Sequence, residues 1–315
     1  MRVVITGATG FIGSAVVNSL ARTRDAAADH LHLTAIGRSS GRAATTPCDD
    51  WHHADLADPD SLSRSCEGAD VLLHLGGTLG PDPQTCHTVN VAGTAALMRE
   101  ARRARVGRIV HLSTAAVYGK GPHHGPDIGE VEPAPVSAAS ATRLQAERYA
   151  LDAGATVLRP GLVLGRGDRW VIPALHELTA RVPALWGGGR ARLSAVVVER
   201  LAALVTALAL RPGPTPAGVF HASHPQPVTV GQLLTALAGL GVLPPVTEPW
   251  PWDRCLTAFH ATHGTRSERQ FHLLAQDHWY RSDTIWKAAA QDPGPPPQQD
   301  LEPSAAWYRD LVTAG

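Results

Sequence analysis

The 315-residue sequence has few cysteines, no long apolar run and no excess of charge of either sign. Its four cysteines, Cys48, Cys66, Cys86 and Cys255, have neither the spacing of a disulfide framework nor that of a zinc site, so a reducing, cytoplasmic location is expected. No run of 18 apolar residues could span a membrane. Met1 leads directly into a predicted core strand, which leaves no room for a signal sequence. With 28 basic and 28 acidic residues, nothing favours nucleic acid or an anionic membrane as a partner, and we expect a soluble globular protein.

A glycine-rich turn follows the first predicted strand. Residues 2–6 are mainly apolar and β-branched, and apolar residues recur at helical spacing from Phe11 onward. Between them, Gly7 permits a tight turn, Gly10 lets backbone N–H groups approach a pyrophosphate, and Gly13 allows the helix to pack closely on the strand. The pattern predicts a bound dinucleotide, and a purely structural glycine turn is the alternative. The candidate contacts in this segment are Gly7, Thr9, Gly10, Phe11, Ile12 and Gly13.

The second predicted strand, residues 31–36, is followed by a basic segment that bears on cofactor choice. NAD-selective sites usually have an acidic residue here for the ribose 2′-hydroxyl, but this segment contains no carboxylate. Arg38, with Ser39 beside it and Arg42 nearby, could instead pair with a 2′-phosphate, because guanidinium matches phosphate oxygens in a bidentate way. We therefore expect NADP(H) rather than NAD(H). The alternative is that these arginines are solvated loop charges.

Apolar strands then alternate with helical patterns. Strands are predicted at 70–75, 108–113 and 155–159, and helices at about 88–104 and 137–152. Alternation of this kind gives an α/β fold in which helices cover both faces of a doubly wound parallel sheet.

The sequence resembles the extended short-chain dehydrogenase/reductase family, the NAD(P)-dependent epimerase/dehydratase group. Besides the glycine turn, the matching segments are Asp55-Leu56, Leu75-Gly76-Gly77, Asn90-Val91-x-Gly93-Thr94, Ser113-Thr114-Ala115-Ala116-Val117-Tyr118-Gly119 and Leu158-Arg159-Pro160-Gly161. The resemblance implies adenine contacts from Asp55 and Leu56, a backbone ledge at 75–77, and further cofactor contacts from Asn90 and Pro160. It also implies a Rossmann domain over 1–167, to which a strand near 218–222 returns, and a smaller substrate lobe over 168–315. A homodimer through the helices at 88–104 and 137–152 is a further implication.

The family's acid/base pair is missing from this chain. Family members use a Ser or Thr to bind the substrate oxygen, a Tyr as acid/base, and a Lys four residues later. Thr114 fits the first role, but no Tyr-x-x-x-Lys occurs anywhere in the sequence, and the matching helix has Ala139 and Arg143 at these positions. Arg143 could still hold ribose hydroxyls or stabilise an oxyanion.

The proton must then come from another group, or the reaction needs none. The candidate donors are Ser137, Tyr118, His123 and His124, with Glu130 and Glu132 in the same loop. A solvated loop position is the alternative for each of them.

Two weaker patterns lie in the second half of the chain. Trp170, Trp186, Trp250 and Trp252 could line a pocket for a bulky cyclic or aromatic substrate, or could simply pack the lobe. His260-x-x-His263 has helical metal spacing but no evident third ligand, so no metal site is predicted.

Three functions are compatible with these residues. The first is hydride transfer to or from a small organic substrate, such as a natural-product intermediate, with a nonstandard proton donor. The second is a redox-neutral lyase, cyclase or isomerase that keeps the cofactor for structure or internal cycling. The third is a noncatalytic NADP(H)-binding sensor.

Overall fold

The computed structural model describes residues 1–27, 31–38 and 46–313 of the chain. The strands, in chain order, are β1 (Arg2–Thr6), β2 (His32–Gly37), β3 (Asp50–His53), β4 (Val71–His74), β5 (Arg108–Leu112), β6 (His123–His124), β7 (Thr156–Arg159), β8 (Leu162–Leu164), β9 (Leu185–Trp186), β10 (Arg192–Leu193), β11 (Ala195–Val197), β12 (Gly218–His221), β13 (Val228–Thr229), β14 (Pro249–Trp250) and β15 (His278–Trp279). The helices are α1 (Phe11–Ala27), α2 (Pro83–Cys86), α3 (Gly93–Arg103), α4 (Ala138–Asp152), α5 (Val171–Arg181), α6 (Val198–Leu210), α7 (Val230–Gly239), α8 (Trp252–His260), α9 (Glu268–Ala275), α10 (Asp283–Ala289) and α11 (Ala305–Thr313).

Seven parallel strands form the main sheet, in the order β12-β7-β5-β4-β1-β2-β3. Side chains of a strand alternate between the two faces, and β1 shows this directly. Val3 and Ile5 belong to the core cluster that contains apolar residues of α1 and α6, whereas Val4 belongs to the cluster beneath α3. The predicted Rossmann fold, with helices on both faces of a parallel sheet, is confirmed.

A smaller lobe is built mainly from residues after β7. It contains the four-stranded sheet β13-β10-β15-β6, and apolar residues of α5, α7, α8, α9 and α11 pack into one core. Trp186 and Tyr308 are fully buried there. No helix in the described part of the chain is long and apolar enough to cross a membrane.

The chain passes between the two regions more than once. Strand β12 lies at the edge of the main sheet beside β7, and α6 packs on α1. Conversely, β6 lies between β5 and β7 in the sequence, but it pairs with β15 in the sheet of the lobe. The division at residue 167 therefore stays a prediction, although the returning strand lies at Gly218–His221.

Candidate functional site

A cleft of about 560 Å³ lies where the strands of the main sheet end. Parallel strands place their carboxyl ends at one edge, and ligands of open α/β sheets bind there. Fifteen of the predicted site residues line this cleft: Gly7, Thr9, Gly10, Phe11, Ile12, Gly13, Arg38, Asp55, Leu56, Leu75, Gly76, Gly77, Thr114, Arg143 and Pro160.

The glycine loop forms one wall of the cleft, and its glycines are sterically required. Gly7 has φ +73, and a Cβ there would lie 2.7 Å from the backbone of Gly76. A Cβ on Gly13 would lie 2.0 Å from the carbonyl oxygen of Gly7. Helix α1 begins at Phe11, so its N-terminal N–H groups and positive dipole end face the cleft. These surfaces fit a pyrophosphate.

One end of the cleft is formed by residues that follow β2 and β3. Arg38 is exposed at the end of β2, and Asp55 and Leu56 lie nearby after β3. The indole N–H of Trp51 donates to the carbonyl of Gly37 at 3.2 Å, which fixes the backbone before Arg38. Ser39 and Arg42 lie outside the described residues. Arg38 is thus available at the cleft for a ligand phosphate.

Asn90 supports the cleft from behind and does not line it, so the prediction of a direct cofactor contact is not supported. Its amide oxygen accepts from the N–H of Thr78 at 2.8 Å, and its amide nitrogen donates to the Thr78 carbonyl at 3.1 Å. The same nitrogen donates to the hydroxyl of Thr142 at 3.0 Å. Because both ends of this buried amide are used, Asn90 fixes the segment after Gly77 against α4.

Arg143 extends from α4 into the cleft without a carboxylate partner among the described residues. One terminal nitrogen makes only long hydrogen bonds, of 3.4 Å to the carbonyl of Leu112 and 3.5 Å to that of Ser113. Its Nε is buried and has no partner in the described structure. Burial lowers the pKa of Arg143. The missing side chain of Gly77 leaves room, because a Cβ there would lie 3.1 Å from the guanidinium. This cation can donate hydrogen bonds to oxygens of a ligand, such as ribose hydroxyls.

Two hydroxyl groups after β5 line the cleft beside Arg143. Thr114 Oγ1 accepts from the N–H of Ala116 at 3.1 Å and so starts the short 3-10 helix Ala115–Tyr118. Its own proton is not taken by any described group, so it can donate to a ligand oxygen. Ser113, in contrast, donates its hydroxyl proton to the carboxylate of Glu147. The sequence pattern alone did not identify Ser113 as a site residue.

Behind Ser113, a buried polar network joins α4 to β7 and β12. The Arg159 guanidinium donates to both carboxylate oxygens of Glu147, at 2.9 and 2.6 Å, and to the hydroxyl of Tyr118 at 2.8 Å. Ring nitrogen Nδ1 of His221 faces the carbonyl of Arg281 at 2.9 Å, so it holds the proton, and Nε2 accepts from the Tyr118 hydroxyl at 2.8 Å.

The network leaves Tyr118 unsuited to proton transfer in the cleft. Its phenol is 2% exposed and its proton points to His221. Burial raises the pKa of Tyr118. The prediction that Tyr118 is a candidate donor is therefore not supported.

The other three predicted donors also lie away from the cleft lining. Ser137 caps α4, since its hydroxyl accepts from the N–H of Ser140 at 3.1 Å in a capping box. His123 and His124 form β6, and pairing with β15 takes both into the sheet of the lobe. His123 is buried against Tyr118, and burial lowers its pKa. His124 is exposed and bonds Asp277 at 2.8 Å.

Only one of the four predicted lining tryptophans reaches the cleft. Trp170 is 60% exposed and lines it. Trp186 is fully buried, and Trp250 and Trp252 pack against the lobe core, so packing explains these three. In the described ranges no group of three His, Cys, Asp or Glu side chains could hold a metal ion, and His260 instead pairs with a carboxylate on α9 at 3.3 Å.

Comparison with known proteins finds relatives over most of the chain. A 2-alkyl-3-oxoalkanoate reductase from Stenotrophomonas maltophilia (strain K279a) is 29% identical over 252 residues, which are 75% of this chain and 74% of the reductase. A UDP-glucose 4-epimerase from Mycolicibacterium smegmatis is 29% identical over 266 residues, 76% of this chain and 82% of the epimerase. The solved structure of UDP-glucuronic acid 4-epimerase from Bacillus cereus, in complex with UDP-glucuronic acid and NAD, has a TM-score of 0.73 at 17% identity. That comparison covers 99% of this chain and 100% of the other, and it shows a shared fold.

A family model extends across the main sheet. It matches residues 3–219, from β1 into β12, and so includes the glycine loop, the segment after β5 and helix α4. The resemblance predicted from the sequence is confirmed: the chain belongs to the NAD dependent epimerase/dehydratase family.

Proposed function

We propose that this chain is an oxidoreductase-type enzyme that binds a nicotinamide dinucleotide in the 560 Å³ cleft and acts on a small organic substrate. The observation that supports this most directly is Arg143, a half-buried cation on the wall of the same cleft as the glycine loop, whose buried Nε has no partner and which has no carboxylate partner in the described structure. A buried charge is costly unless a partner compensates it. A bound dinucleotide would supply phosphate oxygens to the glycine loop and ribose oxygens to Arg143.

Each part of the cleft has a role in this proposal. Backbone N–H groups at the start of α1 hold the pyrophosphate, Asp55 and Leu56 contact the adenosine half, and Arg143 binds the nicotinamide ribose. Arg38 pairs with a 2′-phosphate, which favours NADP(H). The solved relative contains NAD, so the preference for the phosphorylated cofactor depends on Arg38 alone.

The bound cofactor supplies or accepts a hydride at a carbonyl or alcohol carbon of the substrate. Thr114 donates a hydrogen bond to the substrate oxygen. Ala139 stands where family members have the acid/base Tyr, and Arg143 where they have Lys. Among the described residues that line the cleft there is no Tyr, His, Lys or Cys side chain. We infer that the proton comes from water held near Thr114.

The relatives indicate the kind of substrate. One is named as a reductase of 2-alkyl-3-oxoalkanoates and another as an epimerase of UDP-glucose. A carbonyl that interconverts with an alcohol is the group common to such reactions, and we propose a small oxo or hydroxy compound of a biosynthetic pathway. Cytoplasmic location and a homodimer through α3 and α4 remain predictions.

Calorimetric titration with NADPH, NADP⁺, NADH and NAD⁺ tests the cofactor assignment. Wild-type protein should bind the phosphorylated pair more tightly, and Arg38→Ala should lose that preference while keeping the affinity for NADH. Arg309→Ala, at an exposed position on α11, is the control. Binding of none of the four would overturn the proposal. Equal affinities in wild-type protein would remove Arg38 from cofactor selection.

A noncatalytic NADP(H)-binding sensor is the second candidate, and the lack of a Tyr, His, Lys or Cys side chain in the described lining favours it. An enzyme should consume NADPH in step with product, and Thr114→Ala should lower turnover about tenfold or more. A sensor should bind both cofactor forms with different affinities and turn over no oxo compound. Turnover without net change in nicotinamide absorbance would instead support a redox-neutral reaction.

A further inference from the structure

A second cavity, of about 270 Å³, lies outside the nucleotide cleft and shares none of its lining residues. It is enclosed by the loop Gly119–Gly121, by Val136 and by one face of α9, with His278 beside them. Along α9, Arg269 and Leu273 are four residues apart and so present one helix face to this cavity, and Gln276 follows at the C-cap.

The charged side chains of this cavity leave an excess of positive charge. Lys120 and Arg269 come from different segments, are both exposed, and form no ion pair with any described residue. The one acidic side chain of the lining, Glu268, lies 3.3 Å from His260 and 3.4 Å from His272, and leaves the two cations in excess by one charge. Two cations are therefore available to an anion.

The rest of the wall combines the aliphatic side chains Val136 and Leu273 with the polar side chains His272, Gln276 and His278. Val136 is 46% exposed, although it is a large aliphatic side chain, and Leu273 lies on the facing helix. Gly119 has φ +73, and a Cβ there would lie 1.9 Å from the carbonyl oxygen of Ala134, so only glycine fits the loop. The combination of two cations with a short aliphatic wall matches a singly charged amphipathic anion.

The two cavities border the same two segments of the chain. The loop Gly119–Gly121 directly follows the 3-10 helix that begins after Thr114. Val136 precedes the α4 cap Ser137, and Arg143 lies six positions after that cap, which is about 9 Å along the helix at 1.5 Å per residue. The two cavities thus lie along neighbouring parts of the same two segments, those that follow β5 and that lead into α4.

We propose that the second cavity binds the carboxylate of an aliphatic oxo or hydroxy acid, held between Lys120 and Arg269, with its chain on Val136 and Leu273. This names the substrate class of the proposed function and rests on it. A singly charged carboxylate fits better than a doubly charged phosphate monoester, because the lining offers two single cations and Glu268 adds a negative charge next to Arg269.

The chain offers an internal control, because Lys120 and Lys287 are its only lysines. An amine-reactive acetylating reagent, with mass spectrometry of both sites, measures the protection of each lysine. Hexanoate should slow labelling of Lys120 but not of Lys287, and hexanamide should protect neither. Arg269→Met should weaken the protection about tenfold, as expected for loss of one charge-assisted contact, and Arg309→Met should leave it unchanged.

Other outcomes overturn the proposal. These are equal protection by hexanamide, protection by potassium chloride at matched ionic strength, or no protection. Protection by hexyl phosphate at concentrations where hexanoate has no effect would assign the cavity to phosphate and contradict the carboxylate.

The link to catalysis is tested separately with 3-oxohexanoate and NADPH. Lys120→Met should raise KM about tenfold with kcat nearly unchanged, and Lys287→Met should change neither. Protection of Lys120 in a protein that binds no nicotinamide cofactor would refute the proposed function but keep the carboxylate site. Tight NADPH binding without protection by hexanoate would refute the carboxylate site alone.

Discussion

Replacing Arg143 by Met should have opposite effects on stability and on cofactor binding. Methionine keeps most of the length and the apolar stem of arginine but removes the charge. In the protein without cofactor, the guanidinium makes only the two long hydrogen bonds of 3.4 and 3.5 Å, and its Nε has no described partner. A side chain that makes few hydrogen bonds in the free protein, but is well placed to bind a ligand, lowers the stability of the free protein and raises its affinity for the ligand.

The expected magnitudes follow from these contacts. An unsatisfied buried N–H costs about 1–3 kcal/mol, so Arg143→Met should raise the free energy of unfolding of the cofactor-free protein by about 1 kcal/mol. Hydrogen bonds to a charged group contribute about 1.5–3 kcal/mol, so the affinity for NADPH should fall about tenfold to a hundredfold.

Arg159→Met is the matched comparison, because this arginine is 6% exposed and has a complete set of partners. Its removal leaves the Glu147 carboxylate, 2% exposed, without its cation. This should destabilise the protein by about 3–5 kcal/mol.

Urea denaturation with and without NADPH measures both quantities for each variant. The reasoning is refuted if Arg143→Met destabilises the cofactor-free protein as much as Arg159→Met does. It is equally refuted if Arg143→Met leaves the NADPH affinity unchanged, since the guanidinium would then serve the fold and not the ligand.

Three other changes test the site and its surroundings. Gly13→Ala puts a methyl group 2.0 Å from a backbone oxygen of the glycine loop, so calorimetry should detect no NADPH binding, whereas Gly239→Ala, with open space around it, should bind normally. Burial lowers the pKa of His74 to about 3 against about 6.5 in the unfolded chain, so the unfolded state binds the extra proton. The stability that neutral His74 contributes is therefore complete above pH 6.5, and the free energy of unfolding falls by about 2 kcal/mol between pH 7 and pH 5 on its account. Over that interval the free energy of unfolding of His74→Gln should fall by about 2 kcal/mol less than that of wild-type protein. The same pH slope in both proteins would contradict this. Ala139→Tyr combined with Arg143→Lys should gain carbonyl reductase activity by about 10²-fold or more, measured as NADPH consumption, and a folded, NADPH-binding double variant without a gain would argue against a lost acid/base pair.

Local patterns were enough to predict the fold and much of the cleft. The glycine spacing at residues 7–13 predicts a strand-turn-helix because backbone sterics there depend on near neighbours alone. The predicted strand 108–113 was observed at Arg108–Leu112, and the predicted helix 137–152 at Ala138–Asp152, where Ser137 caps the first turn.

The same patterns misplaced residues whose neighbours are distant in the chain. His123 and His124 looked like loop residues near the site, but β6 pairs with β15, more than 150 residues later, and this removes them from the cleft. Asn90 matched a cofactor motif, yet its amide is used by Thr78 and Thr142.

The sequence by itself determined the alternation of strands and helices of a parallel α/β sheet, the glycine loop and the absence of a Tyr-x-x-x-Lys pair, because these depend on residue identity at fixed local spacing. Only the tertiary structure decided which side chains remain without partners. Lys120 and Arg269 are about 150 positions apart in the chain, and Glu147 meets Arg159 only where α4 packs beside β7. Hydrogen bonding and charge pairing depend on distance in space, and long-range packing alone sets that distance.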